Sequence, residues 1–445
     1  MHRSLDSKIW AIAWPAIVSN VSIPLLGLVD AALLGHLDSP DHLAAVAVGG
    51  AILSFLYWGF SFLRMGTTGE VARAMGSADE ERALVALGRA ALLALAIALL
   101  LLVLQGPLLH LGLAAMSPSA DVGAIAGTYA GLRLLSAPAV LLTYTAVGWF
   151  IGRQNTRWPM LILIGTNLVN IVLDAVLILG FGLASTGAAL ATVSAEYLGL
   201  ALAIAGLLRS GLPVLSSGAR ARMLDLAGLR SVLRSNSELF VRTLALLFAF
   251  AFFTAAGEQL GTHVVAANAV MMQFLLFSAF ALDGFAYAAE GLAGEALGRG
   301  DPAAFHRVTR RCALWSGAAA MVISGVILLG RPVLFPLLTD LPEVAAVMAA
   351  QGLWLVIMPM ASAPSYLLDG VFVGAGATRA MMVTMVGSAL AVYLPVWYLT
   401  RGMGNDGLWL AFLMFNAARG GSLAACYYLI TRSDRWLRWS PDPAA

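Results

Sequence analysis

Six acidic residues stand inside stretches that otherwise hold almost only apolar side chains: Asp30, Asp174, Glu196, Asp283, Glu290 and Asp369. Arg64, Arg133, Arg242 and Arg419 are the bases in the same position. Holding such a group in hydrocarbon costs at least ~2.5–3.5 kcal/mol on insertion scales, so each is expected to have a partner or a task. Spacing sorts them. Asn170 and Asp174 are i,i+4 neighbours on one helical face, and Asn167, three residues before Asn170, shares it. Ala188, Thr192 and Glu196 line one face of a later stretch in the same way. Carboxylate, amide and hydroxyl oxygens gathered at one point are hard ligands that suit Na⁺. Neighbouring carboxylates also titrate as a coupled pair, which suits proton exchange. The plainer alternative is that these groups only hydrogen-bond between helices. For Asp283, Glu290 and Glu196 the two readings stand level. Asp369 lies close enough to the inner end of its stretch to reach headgroups. Arg64 and Arg419 are expected to snorkel, and Arg133 to pair with an acid. Glu258 and Glu295 fall at helix ends and are expected in water.

These residues must be positioned by membrane-spanning helices. The chain has 445 residues, 60% of them hydrophobic and 11% charged, against ~25% charged in ordinary soluble domains. With 24 acids and 26 bases it cannot cover a globule of this size in water, and it offers no basic footprint for nucleic acid. Cys312 and Cys426 are its only cysteines, so neither a disulfide framework nor a four-ligand zinc site is expected. At about 20 residues per span, the apolar runs predict twelve helices, over 9–37, 42–75, 83–112, 121–150, 158–181, 186–210, 231–258, 263–298, 305–332, 343–373, 380–400 and 406–431. The first is too long for a signal peptide and lacks a small-residue cleavage site, so it reads as a retained span. Basic residues crowd the even-numbered connections and the termini, whereas the odd-numbered connections hold only Arg331 and Arg401. The bias places both termini in the cytoplasm.

The pattern occurs twice, 222 residues apart. LAAVAV (43–48) returns as VAANAV (265–270), ARAMG (72–76) as GEALG (294–298), and GRQNTR (152–157) as GAGATR (374–379). Gly69, Gly76 and Asp79 fall on Gly291, Gly298 and Asp301. An offset equal to six helices gives two halves of the same orientation, a parallel repeat of the kind that builds alternating-access transporters. The expected division is an N-terminal six-helix lobe (1–208), a cytoplasmic linker (209–230) rich in arginine and serine, and a C-terminal six-helix lobe (231–445).

Depth and asymmetry single out one group. Asp30 and Asp174 each lie seven residues before the outer end of their span, and Thr192 about six residues inside the outer start of its own. All three sit roughly 10 Å below the outer surface. At the repeat offset Asp30, Asn170 and Asp174 become Phe252, Val392 and Val396, so the polar requirement belongs to the first half alone. Asp283 and Asp369 have Ser61 and Val147 as counterparts and are asymmetric in turn. Pro15 and Pro24 flank the approach to Asp30. They predict either a bend that responds to protonation of that acid or a fixed kink.

GLVDAALLGHLDSPDHLAAVAVG (27–49), FLRMGTTGEVARAMG (62–76), NIVLDAVL (170–177), GAALATVSAEY (187–197) and ALDGFAYAAEGLAGEALG (281–298) resemble the multidrug and toxic compound extrusion (MATE) transporters, most of all their DinF-like branch. The resemblance runs over nearly the whole chain. It implies two six-helix lobes forming a V around a central cavity, and antiport of organic cations against H⁺ or Na⁺. It also implies a first-lobe cation site made of Asp30, Asn170, Asp174, Thr192 and the Ala188 carbonyl, with Pro15 as the bending proline. The second-lobe cation sites of another branch use acids on spans 7, 8 and 10. Here span 10 has Asp369 but the middle of span 7 has no acid, which favours the first lobe. Asn167, Glu196, Asp283, Glu290 and Asp369 remain as secondary residues of the substrate pathway.

The expectation is therefore a monomeric antiporter of the bacterial inner membrane. It exports cationic, amphipathic compounds, contacts lipid and no nucleic acid, and needs no cofactor beyond the coupling ion. A lipid-intermediate flippase of the same superfamily is the alternative, although it would call for more cavity arginines. No metal-binding His pair and no serine–histidine constellation supports an enzyme.

Overall fold

A computed structural model describes residues 4–35, 39–211, 216–338 and 341–439; some side chains within these ranges, those of Pro24 and Asp30 among them, lie outside the description. The described backbone is helical nearly throughout and contains no strand. This is what lipid demands, since a helix satisfies its own N–H and C=O groups where water cannot.

Twelve helical segments follow one another. Span 1 is Leu5–Gly35 and span 2 Pro40–Gly76, broken between Gly59 and Phe62. Span 3 is Glu80–Val103, continued by Gln105–Met116. Span 4 consists of Ala120–Leu134 and Ala137–Gly152, bent by 50°. Span 5 is Arg157–Gly180, span 6 Ala184–Arg209, span 7 Leu226–Glu258, span 8 Thr262–Gly298, span 9 Pro302–Leu338, span 10 Pro342–Ala375, span 11 Thr378–Met403 and span 12 Asn405–Arg432. Among the described residues nine of these are long and apolar enough to cross a membrane, and the bent span 4 makes ten. Spans 1 and 12, at 31 and 28 residues, complete the twelve by length. The predicted edges hold to within a few residues. The predicted continuity of 42–75, 83–112 and 121–150 does not. In span 4 the cause is Pro138 in the first turn of the second segment, where it cannot donate a backbone hydrogen bond. Span 1 keeps its helical backbone through Pro15 and Pro24.

The chain divides into two compact units. The N-terminal unit is Val18–Val71 with Asp79–Leu233; the C-terminal unit is Met1–Ile17, Ala72–Ala78 and Arg234–Ala445. The sequence expectation put all of span 1 in the first lobe, yet the residues up to Ile17 cluster with the second. Side chains explain the attachment. Trp10 packs edge-on against Phe285 and Trp315 at 5.3 and 5.1 Å, and Trp315 Nε1 donates to Asp6 at 3.1 Å.

The segment read as a linker carries a short helix, Ser217–Met223, capped by Ser216 accepting from the Ala219 N–H. It is tied to the start of span 3: Arg222 pairs with Glu81 at 2.8 Å, and Arg89 donates to the Arg222 carbonyl at 2.6 Å.

Candidate cation site

The N-terminal unit assembles its polar group on spans 5 and 6. Asn170, Asp174, Thr192 and Ala188 are all buried, and Asp174 is fully so. The Thr192 hydroxyl donates to the Ala188 carbonyl one turn earlier at 2.9 Å, and Asn170 Nδ2 donates to Thr192 Oγ1 at 3.2 Å. This chain fixes the amide's orientation. A hydroxyl that has spent its proton on Ala188 must accept from Asn170, so the amide nitrogen faces Thr192 and the carbonyl oxygen faces away. That oxygen, Asn170 Oδ1, is buried with no hydrogen-bond partner among the described residues. Asp174 is one helical turn further along the same face. It is the last residue of the α-helix before a π-helical turn, Ala175–Gly180, in which Phe181 N reaches back to the Val176 carbonyl. Such turns widen a helix locally and recur at functional sites.

The i,i+4 reading from sequence thus brings Asn170, Thr192 and Ala188 into direct contact, with Asp174 buried beside them on the Asn170 face. Asp30 lies in span 1, but its side chain is outside the described residues, as is that of Pro24. Asn167 reaches span 1 elsewhere, donating to Ser22 Oγ at 3.2 Å, while Ser22 donates to the Ser19 carbonyl at 2.6 Å. Ser19 and Asn20 are buried polar residues of span 1 that spacing alone does not single out; their place three and two residues before Ser22 in an apolar helix is the available signal.

The donor set is two neutral oxygens, a backbone carbonyl and one described carboxylate. Among the described residues no three His, Cys, Asp or Glu side chains cluster as a metal site would require. A set so lightly charged fits a monovalent ion or a proton and is poor for a divalent metal.

Glu196, one turn beyond Thr192, takes a different part. It pairs with Arg133 of span 4 at 3.0 Å, and Arg133 also donates to the Tyr129 hydroxyl at 3.0 Å. The bend of span 4 uses the same neighbourhood: Ser136 Oγ donates to the Arg133 carbonyl at 2.7 Å, and Tyr57 OH to that carbonyl at 3.3 Å. Arg133 therefore has the acid that spacing could not name.

In the C-terminal unit two expectations are overturned. Arg419 does not snorkel; it is 2% exposed and donates to Asp369 Oδ2 at 3.0 Å and to Asn416 Oδ1 at 3.1 Å. Asp369 does not reach for headgroups. It is buried, and Arg242 donates to the same Oδ2 atom. The reason is energetic: a carboxylate in a helix interior is stabilised far more by two guanidiniums at hand than by a distant polar surface. Glu290 is buried, and Asp283 lies near enough to act electrostatically on the Tyr366 phenol, as Asp369, Arg242 and Arg419 also do. Glu258 is exposed and Glu295 pairs with Arg299, as helix-end acids should.

Comparison with known proteins gives a consistent picture. The MatE family model matches twice, over residues 15–176 and 239–399, so one pattern reads both halves of the chain. The DNA damage-inducible protein F of Escherichia coli is 40% identical over 97% of this chain and 94% of its own length. A probable multidrug resistance protein, NorM, of Oceanobacillus iheyensis is 26% identical over 40% of this chain and 39% of its own. Crystal structures of the Vibrio cholerae MATE transporter VcmN share the fold: a mutant form superposes with TM-score 0.86 and the bent form with 0.84, at 24% identity, the first covering 98% of both chains and the second 97% and 98%.

Proposed function

The chain belongs to the MatE family of multi-pass membrane transporters, and on that premise we propose that it is a secondary antiporter of the bacterial inner membrane, with both termini cytoplasmic. It exports cationic, amphipathic toxic compounds by alternating access in exchange for H⁺ or Na⁺, and acts as a monomer. The observation that carries the reading is the Asn170–Thr192–Ala188 hydrogen-bond chain with the buried Asp174 on its flank. A coupling ion drives a transporter only through different affinities for its two states. Asn170 Oδ1 and the Asp174 carboxylate supply oxygens for it, and Asp30 completes the set from span 1. Binding neutralises the carboxylates, removing a charge that is costly to bury. Pro15, two residues before the break between units at Ile17, is the point at which span 1 adjusts.

The test is efflux of ethidium from membrane vesicles by Asp30→Asn and Asp174→Asn. Each variant is expected to lose efflux while reaching normal membrane levels. Wild-type efflux in both would end the assignment of the site.

A further inference from the structure

We infer that Arg133, Glu196 and Tyr197 are positioning residues of the cation site. They key the bend of span 4 to the face of span 6 that carries Thr192, and so set how tightly the site holds its ion. This rests on the cation-site reading above and adds to it three residues outside the Asn170–Thr192–Ala188 chain.

Span 6 has two attachments one turn beyond Thr192. Glu196 lies on the Thr192 face, four residues on, and accepts from Arg133 Nη2 at 3.0 Å; the adjacent Tyr197 donates its hydroxyl to the Leu135 carbonyl at 3.0 Å. Both partners sit at the bend of span 4. Arg133 is in the last turn of Ala120–Leu134, and Leu135 lies between that segment and Ala137–Gly152. Pro138 has no N–H to offer the Leu134 carbonyl. The chain tightens there, with Leu135 N bonding Leu132 and Ser136 N bonding Arg133, each three residues back. Side chains then meet the carbonyls of this turn. Ser136 Oγ and Tyr57 OH donate to Arg133 at 2.7 and 3.3 Å, and Tyr197 donates to Leu135. Tyr57 belongs to span 2, two residues before its own break after Gly59, and with Tyr129 it flanks the guanidinium. Glu196 and Tyr197 are about 100° apart around the axis of span 6. Held at both, the helix can neither turn nor slide against span 4.

The second half of the molecule shows that the fold does not need this arrangement. Span 10, the repeat of span 4, carries Pro359 one position from the equivalent of Pro138, and Pro364 beyond it, yet runs as one α-helix from Pro342 to Ala375. A proline therefore permits the break without enforcing it. Tyr57, Arg133 and Glu196 become Ala279, Leu355 and Ala418 at the repeat offset, and the position of Tyr197 holds Arg419, which bonds Asp369 instead. The bend with its polar attachments thus occurs in the half that has Asn170 and Asp174, and is missing where Val392 and Val396 replace them. Stability alone is a poor reason for the pair, since apolar residues of similar volume serve a buried position as well or better. Precision is a better one. Thr192 Oγ1 receives Asn170 Nδ2 at 3.2 Å, and a binding constellation has to be held to within about 0.5 Å by the residues behind it. A small rotation of span 6 breaks that bond and frees the amide whose oxygen faces the ion.

The experiment reads ion binding by purified full-length protein, as the rise in unfolding temperature when Na⁺ replaces choline at constant ionic strength and, separately, as pH is lowered. An ion that binds the folded chain raises that temperature according to its affinity, and the part of the response lost in Asp174→Asn belongs to the site. In Glu196→Gln the midpoint of that part should move about tenfold toward higher ion concentration, the equivalent of one charge-assisted bond. Tyr197→Phe removes one hydroxyl from an exposed side chain without changing charge, and should move the midpoint about threefold the same way. Arg133→Lys keeps the pair and should stay within about twofold of the wild type. Unchanged midpoints in Glu196→Gln and Tyr197→Phe, whatever their unfolding temperatures, overturn the positioning role. So does a shift in Glu196→Gln that Tyr197→Phe does not share, which is an effect of charge alone, or a shift in Arg133→Lys as large as that in Glu196→Gln. If Glu196→Gln does not fold, Tyr197→Phe decides by itself. The cation-site reading fails separately: a wild type that responds to neither ion, or Asp174→Asn responding as the wild type does, ends it.

Discussion

Thr192 does two things with one hydroxyl. It accepts from Asn170 and donates to Ala188, and so points Asn170 Oδ1 away from both. Thr192→Val keeps the shape and removes the hydroxyl. The amide then loses its orientation, and apparent affinity for the coupling ion should fall about tenfold, while the folded protein loses about 1 kcal/mol. Dependence of efflux rate on ion concentration checks the first and thermal unfolding the second; a change in stability alone would count against the positioning role. This part of the molecule was legible because it is one-dimensional. Positions 170 and 174, or 188 and 192, share a helical face whatever the tertiary fold. The ion pairs were not legible, since Arg133 finds Glu196 across 63 residues and Arg242 finds Asp369 across 127. Nothing in local spacing says which buried base meets which buried acid, and Arg419 was sent toward water for that reason.

At the scale of elements, close helix approach depends on residues with no side chain. In the C-terminal unit spans 8 and 10 touch along Gly370 and Gly374. A Cβ at Gly370 would come within 2.4 Å of the Ala286 carbonyl oxygen, and one at Gly374 within 2.5 Å of that of Glu290. Small residues four apart are the usual means by which membrane helices bring their backbones together. Gly370→Val should therefore cost about 1–3 kcal/mol through overpacking, read as a lower unfolding temperature in detergent. Gly387→Ala of span 11, where nothing lies within 4 Å of the added carbon, should leave that temperature unchanged or slightly raised. Span existence and order were legible from hydropathy. The interruptions were less so: Pro138 announces the bend of span 4, but no residue type announces the π-helical turn after Asp174.

At the scale of the whole molecule, duplication supplies the scaffold and divergence supplies the chemistry. The family pattern matches both halves, yet the buried acid and amide, Asp174 and Asn170, lie in the first and the Arg242–Asp369–Arg419 ion-pair cluster in the second. Each set is replaced by apolar or neutral residues at the repeat offset, Asn170 and Asp174 by Val392 and Val396, Asp369 by Val147. The central claim is that the Asp174 group converts an ion gradient into export. The most direct measurement is substrate flux in proteoliposomes with a pH gradient and a Na⁺ gradient imposed separately, for the wild type and for Asp174→Asn. One of the two gradients should drive uphill flux in the wild type, and neither should in the variant. Flux in Asp174→Asn that still follows the gradient at the wild-type rate would contradict the account.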